Sequence, residues 1–163
     1  LHLCDRRQRQ MCIRDRLNLE SEGVLMQEDV IEQAISIAAG LAQLLIGKGI
    51  NVSVTSNGCD IDTKEQTVIE AGSGLSHFGR INTAFARIDL KLPMQEFSII
   101  LDNMQEYNNK NQRQDSVYVL ISANKHGKLK LSAERLMSKQ QNKIWIVPCV
   151  VSGNGSLYLE KLD

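Results

Sequence analysis

The chain has 163 residues, enough for one compact domain with a buried core and too few for two packed domains. Its apolar content of 42% is that of an ordinary soluble protein, and no uninterrupted apolar run approaches the roughly 18 residues of a membrane span. Lys+Arg and Asp+Glu each total 19, and five arginines fall within the first sixteen residues, so the remainder is slightly acidic and lacks the basic face that nucleic acid requires.

The first sixteen residues read as foreign to the fold. Met11-Cys12-Ile13-Arg14-Asp15-Arg16 back-translates naturally to ATG TGT ATA AGA GAC AGR, which resembles a transposon end ligated to DNA fragments during library preparation, and Asp5 to Gln10 show no apolar periodicity. Residues 1–16 are therefore expected to be an adapter-derived segment, with the domain spanning 17–163 as the C-terminal part of a longer, N-terminally truncated protein. Cys4, Cys12, Cys59 and Cys149 form no CxxC pair and have no histidine at metal-ligand spacing, which argues against zinc and against a disulfide framework.

In chain order, Leu17 to Ser21 reads as the end of a strand followed by a loop through Gly23. A helix follows from Glu28 to Ile46, where Ile31, Ile35, Ala38, Ala42 and Leu45 recur at three-to-four spacing and Gly47-Lys48-Gly49 supplies the stop. Ile50, Val52 and Val54 alternate with polar residues as a strand, closed by the turn pair Asn57-Gly58, with Gln66 to Glu70 as a short edge strand. Leu75, Phe78, Ile81, Phe85 and Ile88 predict a helix over Ser76–Asp89. Pro93 suits the first turn of the next helix, which carries Phe97, Ile100, Leu101 and Met104 and ends before a polar loop at Asn108 to Asp115. Val117 to Ile121 is apolar without alternation, as in a central strand covered on both faces. A helix from Leu129 to about Lys139, a buried strand Ile144 to Val147, a turn at Gly153 to Gly155 and an edge strand Leu157 to Leu159 complete the chain. Strands alternating with helices predict an α/β fold, a mostly parallel sheet with helices on both faces, whose functional crevice lies beyond the carboxyl ends of the strands. The loops after Asn18, Ser56 and Ile121 are the ones to inspect.

Several segments at matching intervals resemble the bacterial "domain of unknown function 58" family: Asn18-Leu19-Glu20, EQAISIAAGLA from Glu32 to Ala42, VSVTSNG from Val52 to Gly58, Ala86-Arg87-Ile88-Asp89, and VLIS from Val119 to Ser122. The resemblance implies a von Willebrand factor A-like domain in a membrane-anchored bacterial protein, on the cytoplasmic face of the membrane, working as an accessory to a MoxR-type AAA+ ATPase. Such domains often hold magnesium at an adhesion site built from an Asp-x-Ser-x-Ser loop, a Thr and a later Asp, and a hard cation needs such oxygen donors. Here Asn18 stands for the leading Asp, Glu20 for the first Ser, and Ser21 lies one residue short of the second. Thr83 is the nearest Thr, and Ala123 and Asn124 occupy the place of the later Asp. The site is expected to be degenerate, with no metal and no other cofactor.

Other groups carry weaker chemistry. Asp60-Ile61-Asp62 with Glu65 lacks the glycine and distal glutamate of a calcium loop and reads as a solvated turn. Gly72-Ser73-Gly74 matches no phosphate-binding pattern and reads as a helix approach. His77 and His126 are candidate acid/base groups and Cys59 and Cys149 candidate nucleophiles, yet none is paired in sequence, and structural roles are favoured. Trp145 reads as core. The expected function is a noncatalytic interaction domain whose strand-end loops bind a protein partner. The alternatives are a magnesium-dependent hydrolase or nucleotide-binding enzyme using Glu20, Ser21 and Asp60, and a purely structural role in a cell-envelope complex.

Overall fold

The computed structural model of the chain describes residues 12–18, 28–111, 116–124, 127–138, 143–148 and 158–160. Among the described residues seven strands form one sheet, β1 Cys12–Asn18, β2 Asn51–Asp60, β3 Gln66–Gly72, β4 Ile88–Asp89, β5 Ser116–Ser122, β6 Lys143–Val147 and β7 Tyr158–Glu160. Four helices accompany them, α1 Glu28–Gly47, α2 Leu75–Ala86, α3 Phe97–Asn111 and α4 Gly127–Met137. The strand order is β3-β2-β1-β5-β6-β7, with the short β4 also paired to β2.

The fold is α/β, and its sheet is mixed. The central run β2-β1-β5-β6 is parallel, while β3 and β4 pair antiparallel to β2, and β7 antiparallel to β6. The antiparallel pairing of β3 with β2 follows from a short connection, since a parallel crossover needs a dozen or more residues and β2 meets β3 across a tight turn.

Alternate residues of β5 divide two cores. Val117, Val119 and Ile121 join Val52 and Val54 under α1 and α2, where Ile31, Ala34, Ala38, Ala42, Ile81 and Phe85 are buried. Tyr118 and Leu120 join Trp145 on the opposite face, under Phe97 and Leu101 of α3 and Leu129, Ala133 and Leu136 of α4. Helices therefore cover both faces, and β5 has no solvent side, which is why its sequence shows no polar alternation.

The helix α1 is long and apolar enough to cross a membrane on length and composition alone. Its buried stripe packs on the sheet, however, as in a core helix. It stops in a Schellman arrangement: Gly49, at φ 75°, donates its N–H to the Ile46 carbonyl, and the Ile50 N–H donates to the Leu45 carbonyl. Only a residue without Cβ adopts that left-handed turn cheaply.

Several expectations need correction. The strand before Leu19 begins at Cys12, so Cys12 to Arg16 lie within the sheet, pairing with Asn51–Thr55 on one side and Ser116–Leu120 on the other. The physical reason is the sheet itself: β2 and β5 present facing ladder edges, and the segment preceding Leu17 closes the gap. The composition of that segment still conflicts with its position, because a strand paired on both sides is ordinarily apolar and Arg14-Asp15-Arg16 are charged.

Asn57-Gly58 is not a turn. β2 continues to Asp60 through an irregularity in its pairing with β3, where the Gly58 N–H donates to Ser56 Oγ, and the turn falls at residues 61–65. The helix α2 ends at Ala86, three residues early, because Ile88-Asp89 pair with Cys59-Asp60. Pro93 is not in a helix: its carbonyl accepts the Cys59 thiol at 3.4 Å, and α3 starts at Phe97. The same helix runs on through Asn108 to Asn111, since propagating a formed helix costs little per residue. The expected turn at Gly153 to Gly155 lies outside the described residues.

Candidate functional site

Chain direction singles out one position at the sheet's carboxyl edge. The loop after β1 leads to α1 on one face, whereas the loop after β5 leads to α4 on the other. Adjacent parallel strands whose connections diverge in this way leave a crevice between their ends, the usual ligand position in doubly wound sheets. The register pairs Asn18 with Ser122, and Leu17 with both Ser56 and Ile121, so β1 and β5 end in polar residues at one level, beside Ser56 and Asn57 within the longer β2.

These polar groups are ordered by local bonds. Ser56, Asn57 and Ser122 are fully buried. Ser122 Oγ donates to the Asn124 carbonyl at 2.7 Å and accepts the Asn124 N–H at 3.1 Å, which folds the chain sharply at the end of β5. Trp145 Nε1 reaches the Ser122 carbonyl at 3.5 Å from the neighbouring strand, and Gln66 Nε2 donates to the Ser56 carbonyl at 2.8 Å. The end of β5 is thus held by its own turn and by β6, with Ala123 and Asn124 half-buried beyond it.

Of the residues singled out in sequence, Asn18, Ala123 and Asn124 meet at this rim, Asn18 through its register with Ser122. Glu20 and Ser21 lie outside the described residues, as do Cys4, His126 and Cys149. Thr83 is not brought to the rim: it sits within α2, exposed, its hydroxyl donating to the Gly79 carbonyl one turn earlier at 2.9 Å. Among the described residues no three His, Cys, Asp or Glu side chains gather as a metal site.

Asp60 has a different role from the one considered in sequence. It lies at the end of β2, where the Arg87 guanidinium clasps it at 2.7 and 3.0 Å and also reaches Asp62 at 2.6 Å. The backbone N–H groups of Asp62 and Thr63 donate to Asp60 Oδ1 at 2.8 and 3.0 Å. The Arg87 hydrogen bonds, followed by that of the Thr63 N–H, hold the Asp60 carboxyl well below the ordinary carboxylate range. Its lone pairs are committed to fixing the β2–β3 turn against the end of α2. No charge pattern in the sequence announces this pair, because 27 residues separate its members.

His77 is a packed structural histidine. It is 2% exposed, and its Nε2–H donates to the Val52 carbonyl at 2.7 Å while Nδ1 accepts from Arg80 at 2.9 Å. Both ring nitrogens are thereby occupied, and the partners' chemistry sets the tautomer. Cys59 is buried with its thiol on the Pro93 carbonyl, and Trp145 belongs to the core under α3 and α4. Neither histidine nor thiol faces a partner that would activate it for catalysis among the described residues.

In comparisons with known proteins, no family model matches the chain and no curated protein matches it significantly.

Proposed function

We propose that the chain is a noncatalytic protein-interaction domain of the von Willebrand factor A-like type, with a degenerate adhesion site, that docks a MoxR-type AAA+ ATPase at the cytoplasmic face of a bacterial membrane. The observation that carries the reading is the topological switch between β1 and β5, where Asn18 and Ser122 pair and the next helices, α1 and α4, lie on opposite faces of the sheet. The family resemblance of its segments names the partner. Ala123 and Asn124, half-buried after β5, present a small side chain and an amide side chain, which suit contact with a protein surface. The engagement of Asp60 by Arg87 weighs against its use as a metal or acid/base group in a hydrolase.

The test is affinity capture with the immobilised chain from a bacterium that encodes a MoxR-type ATPase, alongside an Ala123→Arg variant. Enrichment of that ATPase by the parent chain and its loss with the variant support the reading; no enrichment contradicts it. No metal is assigned to the rim, so millimolar magnesium leaves the melting temperature unchanged, and a saturable rise would count against the degenerate site.

A further inference from the structure

The helices α3 and α4 turn Phe97, Leu101, Leu129, Ala133 and Leu136 to the sheet, and between their outer surfaces lies a groove of about 310 Å³. That volume falls at the lower end of small-ligand cavities, about 300 to 1,000 Å³. Ser98 and Ser132, small and buried, line its deep part, while Ile99 and Leu131 line it from positions 43% and 55% exposed. Two apolar side chains are thus offered to whatever enters.

The charged lining is sorted by helix. Glu96, just before α3, and Asp102 within it supply the negative side, and Lys128 and Arg135 of α4 supply the positive side. At the helix starts the two signs meet: Lys128 Nζ lies 3.9 Å from Glu96 Oε1, which also accepts the Ser98 hydroxyl at 2.7 Å. Asp102 and Arg135 lie roughly 10 Å further along their helices, at about 1.5 Å of rise per residue. Both line the groove, yet no such pair joins them among the described residues.

The carboxylate at that end is short of a donor. Asp102 is half-buried, and its Oδ1, shut off from water, has no hydrogen-bond partner among the described residues. Buried acceptors ordinarily have one. An ammonium brings three donors to such a carboxylate, and a carboxylate matches the donor fork of the Arg135 guanidinium. One small molecule carrying both groups and an apolar chain answers all three features of the groove.

We propose that the groove between α3 and α4 binds the zwitterion of an α-amino acid with an apolar side chain, its ammonium on Asp102, its carboxylate on Arg135 and its side chain on Ile99 and Leu131, separately from the strand-end site. The test is amide NMR of the full chain titrated with L-leucine, with leucinamide, which lacks the carboxylate, and with N-acetylleucine, which lacks the ammonium. Saturable millimolar shifts from leucine in α3 and α4 are expected, with binding roughly tenfold weaker for each analogue. Arg135→Gln should weaken leucine to the level of leucinamide and leave leucinamide unchanged; Asp102→Asn should do the same for leucine against N-acetylleucine. Absence of leucine-induced shifts, equal binding of the three compounds, or substitutions that weaken all three alike would overturn the proposal.

Discussion

Replacing Gly72 by alanine probes how β3 and α2 are fitted together. A Cβ at this position would stand 2.7 Å from His77 Nδ1 and 2.9 Å from Cε1, closer than real side chains approach. The ring cannot retreat freely, since it is buried and tied on both nitrogens, to Val52 and to Arg80. Overpacking costs about 1 to 3 kcal/mol, and loss of one buried hydrogen bond adds about 1 kcal/mol. Gly72→Ala should therefore destabilise the domain by roughly 2 to 4 kcal/mol, a fall of several degrees in Tm for a chain of this size. His77→Ala alone should also destabilise, by removing the ring and its bond to the Val52 carbonyl. The informative measurement is the double-mutant cycle, read from urea midpoints at constant m-value. With the ring gone the alanine at 72 meets no obstacle, so the double variant should be more stable than the sum of the singles predicts, by about 1 to 3 kcal/mol. Additivity within about 0.5 kcal/mol would refute the close approach.

Two glycines of α1 and its cap should respond in opposite directions. Gly40→Ala meets nothing within 4 Å and should stabilise by about 0.5 to 1 kcal/mol, whereas Gly49→Ala, at φ 75°, should destabilise by about 1 kcal/mol; denaturation midpoints moving together would contradict the assignment. Asp60→Asn should destabilise at neutral pH. Because the folded carboxyl titrates below the unfolded one, its contribution is complete above about pH 4 to 5 and is lost as pH falls through the lowered folded value. The gap between parent and variant should thus close on acidification, and a gap that widens would reverse the sign of the argument. Replacing Arg14, Asp15 and Arg16 together by valine should raise the denaturation midpoint, since apolar β-branched residues suit a strand paired on both sides. An unchanged denaturation midpoint would remove β1 from the sheet's centre.

What could be read in the sequence was local, and what could not was produced by distant partners. The helix α1 and the strands β5 and β6 announce themselves because one periodicity, or its absence, covers the whole element and each is buried as that pattern demands. Asn57-Gly58 looked like a hairpin turn because dipeptide preference is blind to β3, whose Gln66 side chain and irregular register carry the strand past it. Pro93 resembled a helix start until Cys59, 34 residues away, claimed its carbonyl. At the ends of β1 and β5, alternation of strands and helices pointed to the loops, and the resemblance to an adhesion-site pattern singled out Asn18, Ala123 and Asn124 within them. The bonds that shape Ser122, the exposed position of Thr83 and the Asp60–Arg87 clasp required the fold.

The most direct test of the central claim is hydrogen–deuterium exchange on the chain alone and bound to a purified MoxR-type ATPase. Protection concentrated at Ser122 to Asn124 and at Asn57-Gly58, with α3 and α4 unchanged, is the outcome expected of a crevice between β1 and β5. Protection confined to the helical faces, or none at saturating ATPase, would contradict it.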